Sequence, residues 1–497
     1  MKRIIAVILI PLLLLPLVCC TAGTGPENTP APDESGVPES TAGNTAAPAP
    51  TAPPDMSYDP DTDYNNLYAT ITGCDIVETE DAYYLHFCRS SGFLYYYDKT
   101  IGEGGVLCPR PECEHDERAD NRSCSGYIGS DWPTLQYYEG KLWYIGPTGG
   151  SGMVIGVYRM DLDGSEKELV RSFDMREDDC PLNTGNRALY LHRGILYHAG
   201  VNQTIKNGDA YNELVFGCVP LSDMEIGGER VAAFEYHTLL TRKGTNYPQP
   251  LMYFVGDYAY MLYQYNGVEQ LDRPTPPDDA TEEEQLEWLE WYKSTYKTTD
   301  EIARWYPAMS EPEILYSSTD TNLLWQYRSG YVTHDGTVYA SDTTLTDSDA
   351  DWDAETNPFI VSVYRLEADG TLAEVFNTRE YGDSVLLGYG EGLIATIDLL
   401  NYRPKDWIPT VRIFTFEGEL IAEGQVPLAF RERFTEPDSY LTLVGCLVTE
   451  DKLLLCYEMY FDKGKVYRRW FFLEETVTPE GFGEKLLNEG FAEASWR

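Results

Sequence analysis

Two pieces of one stretch decide the fold: LQYYEGKLWYIG, from Leu135 to Gly146, and shortly after it GVYRMDLDGSEKELV, from Gly156 to Val170. In each piece, apolar and aromatic residues alternate with polar ones, the period of a strand with one face buried. Each is broken by a two-residue turn of the kind that reverses a hairpin, Glu139-Gly140 in the first and Asp163-Gly164 in the second. The stretch therefore reads as four antiparallel strands joined by two hairpins and one wider connection.

The same unit recurs along the chain. Comparable first hairpins pivot at Glu80-Asp81, Arg193-Gly194, Gly256-Asp257, Asp335-Gly336, Glu391-Gly392 and Glu450-Asp451, which makes seven with Glu139-Gly140. The pivots lie 54 to 63 residues apart except for one interval of 79. The second hairpin repeats too: VYRMDLDG at Val157–Gly164 matches VYRLEADG at Val363–Gly370 at five of eight places. Four short strands repeated at this period indicate an all-β protein, a β-propeller of seven blades, with six or eight blades and a pair of stacked sandwiches as the alternatives. The last unit looks short of a strand, so Leu67 to Thr72 is expected to supply it and close the ring.

The Tyr-rich unit with its YRMDLDGS turn resembles bacterial surface lipoproteins built on six- to eight-bladed propellers, a group largely without assigned function. The resemblance runs from about Tyr64 to the C-terminus and implies architecture more than chemistry, because propellers host many functions. The N-terminus agrees with it. MKRIIAVILIPLLLLPLVCC has two cations, a short apolar run broken by Pro11 and Pro16, and a terminal cysteine pair, the layout of a secretory signal. Its end resembles a lipobox, which implies lipidation at Cys20, although Cys19 stands where that pattern prefers a small residue. Residues 1–20 are thus expected to be a lipoprotein signal peptide and 21–57 a disordered tether rich in Pro, Thr and Ala. Residues 58–497 would be the propeller, with a helical insertion at 281–306. The expected location is the extracytoplasmic face of the cell membrane, with the lipid anchor as the membrane contact.

A net charge of −44 excludes nucleic acid as a partner, since phosphate neutralisation needs clustered Lys and Arg. Of eleven cysteines, nine would remain after signal removal and lipidation, an odd number that leaves at least one outside any intrachain disulfide.

One segment concentrates the sulfur. Cys108, Cys113, His115 and Cys124 supply three thiolates and an imidazole, a full tetrahedral set for a structural Zn²⁺; a disulfide within the set is the competing reading. A weaker cation reading is Ca²⁺ at Asp59, Asp61, Asp63 and Asn65, or at Asp347, Asp349, Asp351 and Asp353. Both have the alternation of a calcium loop without its sixth-position glycine or terminal glutamate. His86 on its strand reads as core. No G-x-S-x-G, H-E-x-x-H or phosphate-loop motif occurs, and no catalytic residue is assigned.

The long interval holds a capping box, Thr281 with Glu284, followed by Leu286, Leu289, Tyr292 and Tyr296 on one stripe, so a helix is expected over 281–297. Antiparallel connectivity puts the tight turns on one face of the disc and the long connections on the other. That second face is the expected ligand face, with Trp288, Trp291, Trp305, Trp352 and Trp407 as aromatic contacts. The functional expectation is a binding or scaffolding module for a glycan or a partner protein; the alternative is an envelope carbohydrate-active hydrolase.

Overall fold

The computed structural model describes residues 53–70, 74–87, 92–115, 123–129, 134–148, 154–174, 185–206, 209–244, 250–267, 280–295, 297–319, 330–347, 357–398, 408–427, 429, 440–462, 466–478, 481–487 and 494–495. They form a seven-bladed β-propeller in which every blade has four antiparallel strands in chain order, blade 7 carrying a short fifth.

Blade 1 comprises Cys74–Glu78, Ala82–Phe87, Leu94–Asp98 and Glu103–Val106, and blade 2 Gln136–Tyr138, Lys141–Pro147, Val154–Asp161 and Glu168–Asp174. Blade 3 is Gly185–His192, Ile195–Lys206, Asp209–Pro220 and His237–Lys243, with a small hairpin, Met224–Ile226 and Glu229–Val231, before its last strand. Blade 4 is Leu251–Val255, Tyr258–Tyr265, Thr299–Trp305 and Glu313–Thr319; blade 5 is Gly330–Val332, Val338–Leu345, Phe359–Leu366 and Leu372–Asn377. Blade 6 is Val385–Gly390, Leu393–Ile397, Thr410–Thr415 and Leu420–Gln425, and blade 7 Tyr440–Val448, Lys452–Asp462, Val466–Thr478 and Gly481–Leu486.

All seven pivots read from the sequence fall on the turn between the first and second strands of a blade. At Glu139-Gly140 and Arg193-Gly194 both residues have positive φ (48° and 73°; 45° and 75°), the twist that matches a tight hairpin to its strands. Second strands such as Ala82–Phe87 and Leu393–Ile397 are buried at every position because a neighbouring blade covers each face, whereas an outer strand such as Glu168–Asp174 has no fully buried residue. Apolar clusters fill the gaps between blades around the ring, from the blade 1 and 2 cluster of Leu94, Leu142 and Met160 to the blade 6 and 7 cluster of Ile413, Leu455 and Leu473.

The ring does not close as the sequence suggested. Blade 7 has its own fourth strand, and its third strand also pairs with Ala494–Ser495. The segment expected to complete it is instead a 3₁₀ turn, Asn66–Thr70, set against the innermost strands of blades 1, 4, 5, 6 and 7, where it occupies the central channel. Closure between blades 7 and 1 is made by side chains. Lys452 Nζ reaches Glu78 at 2.7 Å and Tyr83 Oη at 2.8 Å, Tyr83 donates to Glu474 at 2.9 Å, and Trp470 and Phe472 pack on Phe87 and Tyr83.

The residues leading into that turn run over the tight-turn face. The carbonyl of Asp55 accepts from the amide of Asp257 at 2.7 Å, that of Asp61 from Glu139 at 2.7 Å and that of Thr62 from Arg193 at 2.8 Å, so the segment docks on the first turns of blades 4, 2 and 3. Tyr58 stacks on His334 of blade 5 at 4.1 Å. At Gly256, φ is +56° and an added Cβ would lie 1.9 Å from the Asp55 carbonyl, so only glycine lets the segment pass this close.

Candidate metal centre and the long-loop face

The crossing from blade 1 to blade 2 leaves the last strand at Leu107, which donates to the Leu94 carbonyl and is 3% exposed. Pro109 and Pro111 restrict the following backbone, and a turn closed by Cys113 N–H to Arg110 C=O at 3.2 Å brings Cys113 back toward Cys108. The return limb is pinned beside blade 1: Leu94 donates to Gly126, and Ile128 donates to Gly92. Cys124 is thereby seated in the cluster that contains Phe87 and Phe93, with Cys108 and Cys113 against it.

Here the donor atoms of Cys108, Cys113, His115 and Cys124 all lie within 4.8 Å of one another. Among the described residues this is the one such convergent set of His, Cys and acidic side chains. A tetrahedral ion with metal–sulfur bonds of about 2.3 Å needs donors about 3.8 Å apart, so the set can hold a metal with small adjustment. His115 has φ of 52°, its ring packs edge-on against Phe93 at 5.9 Å, and its buried Nε2 makes no hydrogen bond.

The electrostatics suit a thiolate site. Burial alone would raise the Cys108 thiol, but contacts from His115, the Arg110 backbone, Cys124 and the Arg110 side chain outweigh it and hold the group at about 6. Cys124 is pushed up to about 12, first by burial and then by Cys108 and Cys113 beside it. A cation bound here would displace the remaining thiol protons, Cys124's among them. Arg110, whose Nη2 lies 3.8 Å from Cys113 Sγ and 2.6 Å from the Ser123 carbonyl, supplies a positive charge next to the sulfurs and ties the two limbs together.

The first calcium candidate does not converge. Asp59 accepts from Asp61 N–H and Thr62 Oγ1, Asp63 pairs with Arg193 at 2.6 Å, and Asn65 accepts from Leu67 N–H. These side chains form the turns of the docked segment, and among the described residues their carboxylates make no convergent set. In the second candidate, Asp349, Asp351 and Asp353 lie outside the described residues, as do Cys20, Trp352 and Trp407.

The capping box is present: Glu284 N–H donates to Thr281 Oγ1 at 3.3 Å, and Thr281 N–H to Glu284 Oε2 at 2.8 Å. The helix runs Glu282–Thr295, and the insertion ends earlier than residue 306, because Thr299–Trp305 is the third strand of blade 4. Leu286, expected on the packing stripe, is 52% exposed. Trp288 and Trp291 are half-buried with rings 6.0 Å apart. Trp305 is not a ligand contact: it is 1% exposed in the blade 3 and 4 core, and its indole donates to the Met309 carbonyl. In blade 3 the second and third strands stay paired from Ile195 with Pro220 out to Lys206 with Asp209. His86 is core, 1% exposed.

Sequence reasoning missed the clasp on the N-terminal segment. Arg193 bonds Asp63, Asp257 at 2.7 Å and the Ser57 carbonyl at 2.5 Å, and beside it His192 Nδ1 accepts from Tyr64 N–H while its Nε2–H donates to Gly256 C=O at 2.6 Å. Neither residue carries a motif; the only local signal was a cation placed in a hairpin turn.

No protein-family model matches the chain, and no curated protein matches it. Among solved structures it is similar to an acylaminoacyl peptidase of Pyrococcus horikoshii (10% identity, TM-score 0.27, covering 61% of this chain and 51% of that one). It is also similar to the tricorn protease (10%, 0.21, 85% and 49%) and to a bifunctional GH43-CE protein of Bacteroides eggerthii (8%, 0.27, 86% and 59%). The chain spans about half the length of the first two, and at these scores the likeness says nothing of its activity.

Proposed function

We propose that this protein is a lipid-anchored, extracytoplasmic binding module that recognises a glycan or a partner protein through its long-loop face. The observation that carries this reading is the use of the other face by the chain itself. Residues 55–66 cover first turns of blades 2 to 5, and Asn66–Thr70 fills the channel, so the long connections are the surface left for a partner. Trp288 and Trp291 on the insertion helix are the aromatic contacts on that face, and the strongly acidic surface favours ligands rich in hydroxyls or positive charge.

In this reading the Cys108, Cys113, His115 and Cys124 set holds a structural Zn²⁺. A disulfide would consume two thiols and leave a third thiol and an imidazole crowded against it, whereas zinc uses all four donors. The ion would fix the blade 1 to blade 2 crossing, one of the connections that build the ligand face.

Two measurements test the proposal. Metabolic labelling with a fatty-acid probe should mark the full chain and not Cys20→Ala. On a glycan array and against envelope proteins, Trp288→Ala and Trp291→Ala should weaken binding about tenfold or more while Glu139→Gln leaves it unchanged. Binding lost with Glu139→Gln and kept in both tryptophan variants would overturn the assignment of the face.

A further inference from the structure

We propose that Cys74 and Cys456 form a disulfide that locks the first blade of the propeller to the last. Cys74 begins the innermost strand of blade 1, and Cys456 lies mid-way along the second strand of blade 7. Both are 0% exposed and belong to one apolar cluster with Ile76, Leu85, Leu454 and Phe472. Both are free thiols in the structure, packed in this one cluster and close enough across the seam to interact. Strand pairing does not bring them together, since Cys74 pairs with Phe87 and Cys456 with Gly445 and Phe472. They meet only because the ring closes.

The position suits a staple. The seam between blades 7 and 1 joins the two ends of the propeller, and among the described residues no strand is exchanged across it. A cysteine on each of two packed sheets can span the gap between them, as inter-sheet disulfides of β-sandwiches do. Cys446 is no rival for Cys456: it lies in the cluster on the opposite side of blade 7, toward blade 6. Nor is the pair part of a convergent metal set, because among the described residues only the Cys108 to Cys124 group is one.

The reaction is thiol–disulfide exchange with a disulfide oxidant, either an exported dithiol–disulfide oxidoreductase or a small-molecule disulfide. The Cys74 thiolate attacks one sulfur of the oxidant, forming a mixed disulfide and releasing the oxidant's other sulfur as a thiolate. The Cys456 thiolate then attacks the Cys74 sulfur and displaces the second. Two thiol protons leave, and two electrons reduce the oxidant to a dithiol. Because both sulfurs are buried once blade 7 has docked, and burial pushes the Cys456 thiol far above its ordinary value, exchange belongs to folding, before the seam seals.

The inference rests on the extracytoplasmic reading for its oxidant in the cell, and the test separates the two. Full-length protein is unfolded, reduced and refolded in a glutathione redox buffer, alkylated, digested without reductant and mapped by mass spectrometry. A peptide pair joining Cys74 to Cys456, two hydrogens lighter than the reduced pair, is expected. So is a Tm about 3–5 °C higher after oxidising than after reducing refolding in the native sequence, a difference absent from Cys74→Ala, from Cys456→Ala and from the double variant. Free alkylation of both thiols after oxidising refolding would overturn the proposal. A link that forms on refolding but is absent from protein isolated from cells supports the staple and counts against the compartment alone.

Discussion

Asn66 and Phe254, 188 positions apart, exchange two hydrogen bonds: the Asn66 carboxamide donates to the Phe254 carbonyl at 2.9 Å and accepts from the Phe254 amide at 2.8 Å. The same carboxamide donates to the Val332 carbonyl at 3.0 Å. One fully buried side chain thus satisfies the inner backbone edges of blades 4 and 5, the edges that face the channel and have no further strand to pair with.

Asn66→Ala should therefore destabilise the protein by about 2–4 kcal/mol, because it strands a buried amide and leaves two carbonyls a donor short. Deleting the chain through Thr70 should cost more, and deleting it through Pro53 should cost little. Urea midpoints of the three variants check this, and equal midpoints for the two truncations would contradict a structural role for the plug.

Acid should loosen the same region. Burial lowers His192 to about 4 against the pull of Asp63 and the Gly256 carbonyl, and protonating Nδ1 would break the bond it accepts from Tyr64 N–H. The unfolded chain then binds the proton more readily. The stabilisation is complete above pH 6.5, is lost progressively as pH falls to about 4, and amounts to about 3 kcal/mol. In His192→Gln the stability difference between pH 7 and pH 4 should shrink by roughly that amount in chemical denaturation.

Glu475 points the other way. It is 0% exposed, neither carboxylate oxygen has a hydrogen-bond partner, and burial, with Glu484 opposite it, raises it to about 8. The folded state holds the proton that the unfolded state releases near pH 4.5, so stability falls as pH rises from there to about 8, by a few kcal/mol. Glu475→Gln should remove that slope and raise Tm at pH 8 by several degrees, with little change at pH 5.

At the metal centre, protein purified without chelator should contain about one equivalent of zinc, and Cys113→Ser or His115→Ala should lower both the content and the affinity. Because the thiols must shed protons to bind, zinc uptake should weaken as pH falls, and more steeply below about 6, where Cys108 is protonated too. Elemental analysis and a competing-chelator titration across pH give the result. A native protein with no metal and three thiols open to alkylation would refute the zinc assignment.

Much of the architecture was legible because it is written locally. A hairpin turn such as Glu139-Gly140 and a strand such as Lys141–Pro147 are set by φ preference and alternation within a dozen residues, and seven copies of that signal count the blades. The metal set was legible for the same reason, its four donors lying within seventeen residues. The capping box placed the start of the helix, while its expected apolar stripe failed at Leu286, since which side of a helix meets the body depends on what the body offers there.

What only the tertiary structure decided are the contacts between residues far apart in the chain. Alternation in Leu67 to Thr72 suggested a strand, but blade 7 already has four, and the segment's polar groups gain more in the channel, where Asn66 finds the unpaired edges of two blades. The Arg193 clasp exists only once blades 3 and 4 and the N-terminal segment have docked, and the Lys452 bridge to Glu78 and the meeting of Cys74 with Cys456 only once the ring has closed. Pattern and turn chemistry act over a few residues and so determine the repeating blade. The partners that plug and seal the ring are chosen by burial and hydrogen-bond satisfaction among groups hundreds of residues apart, which no local window of sequence contains.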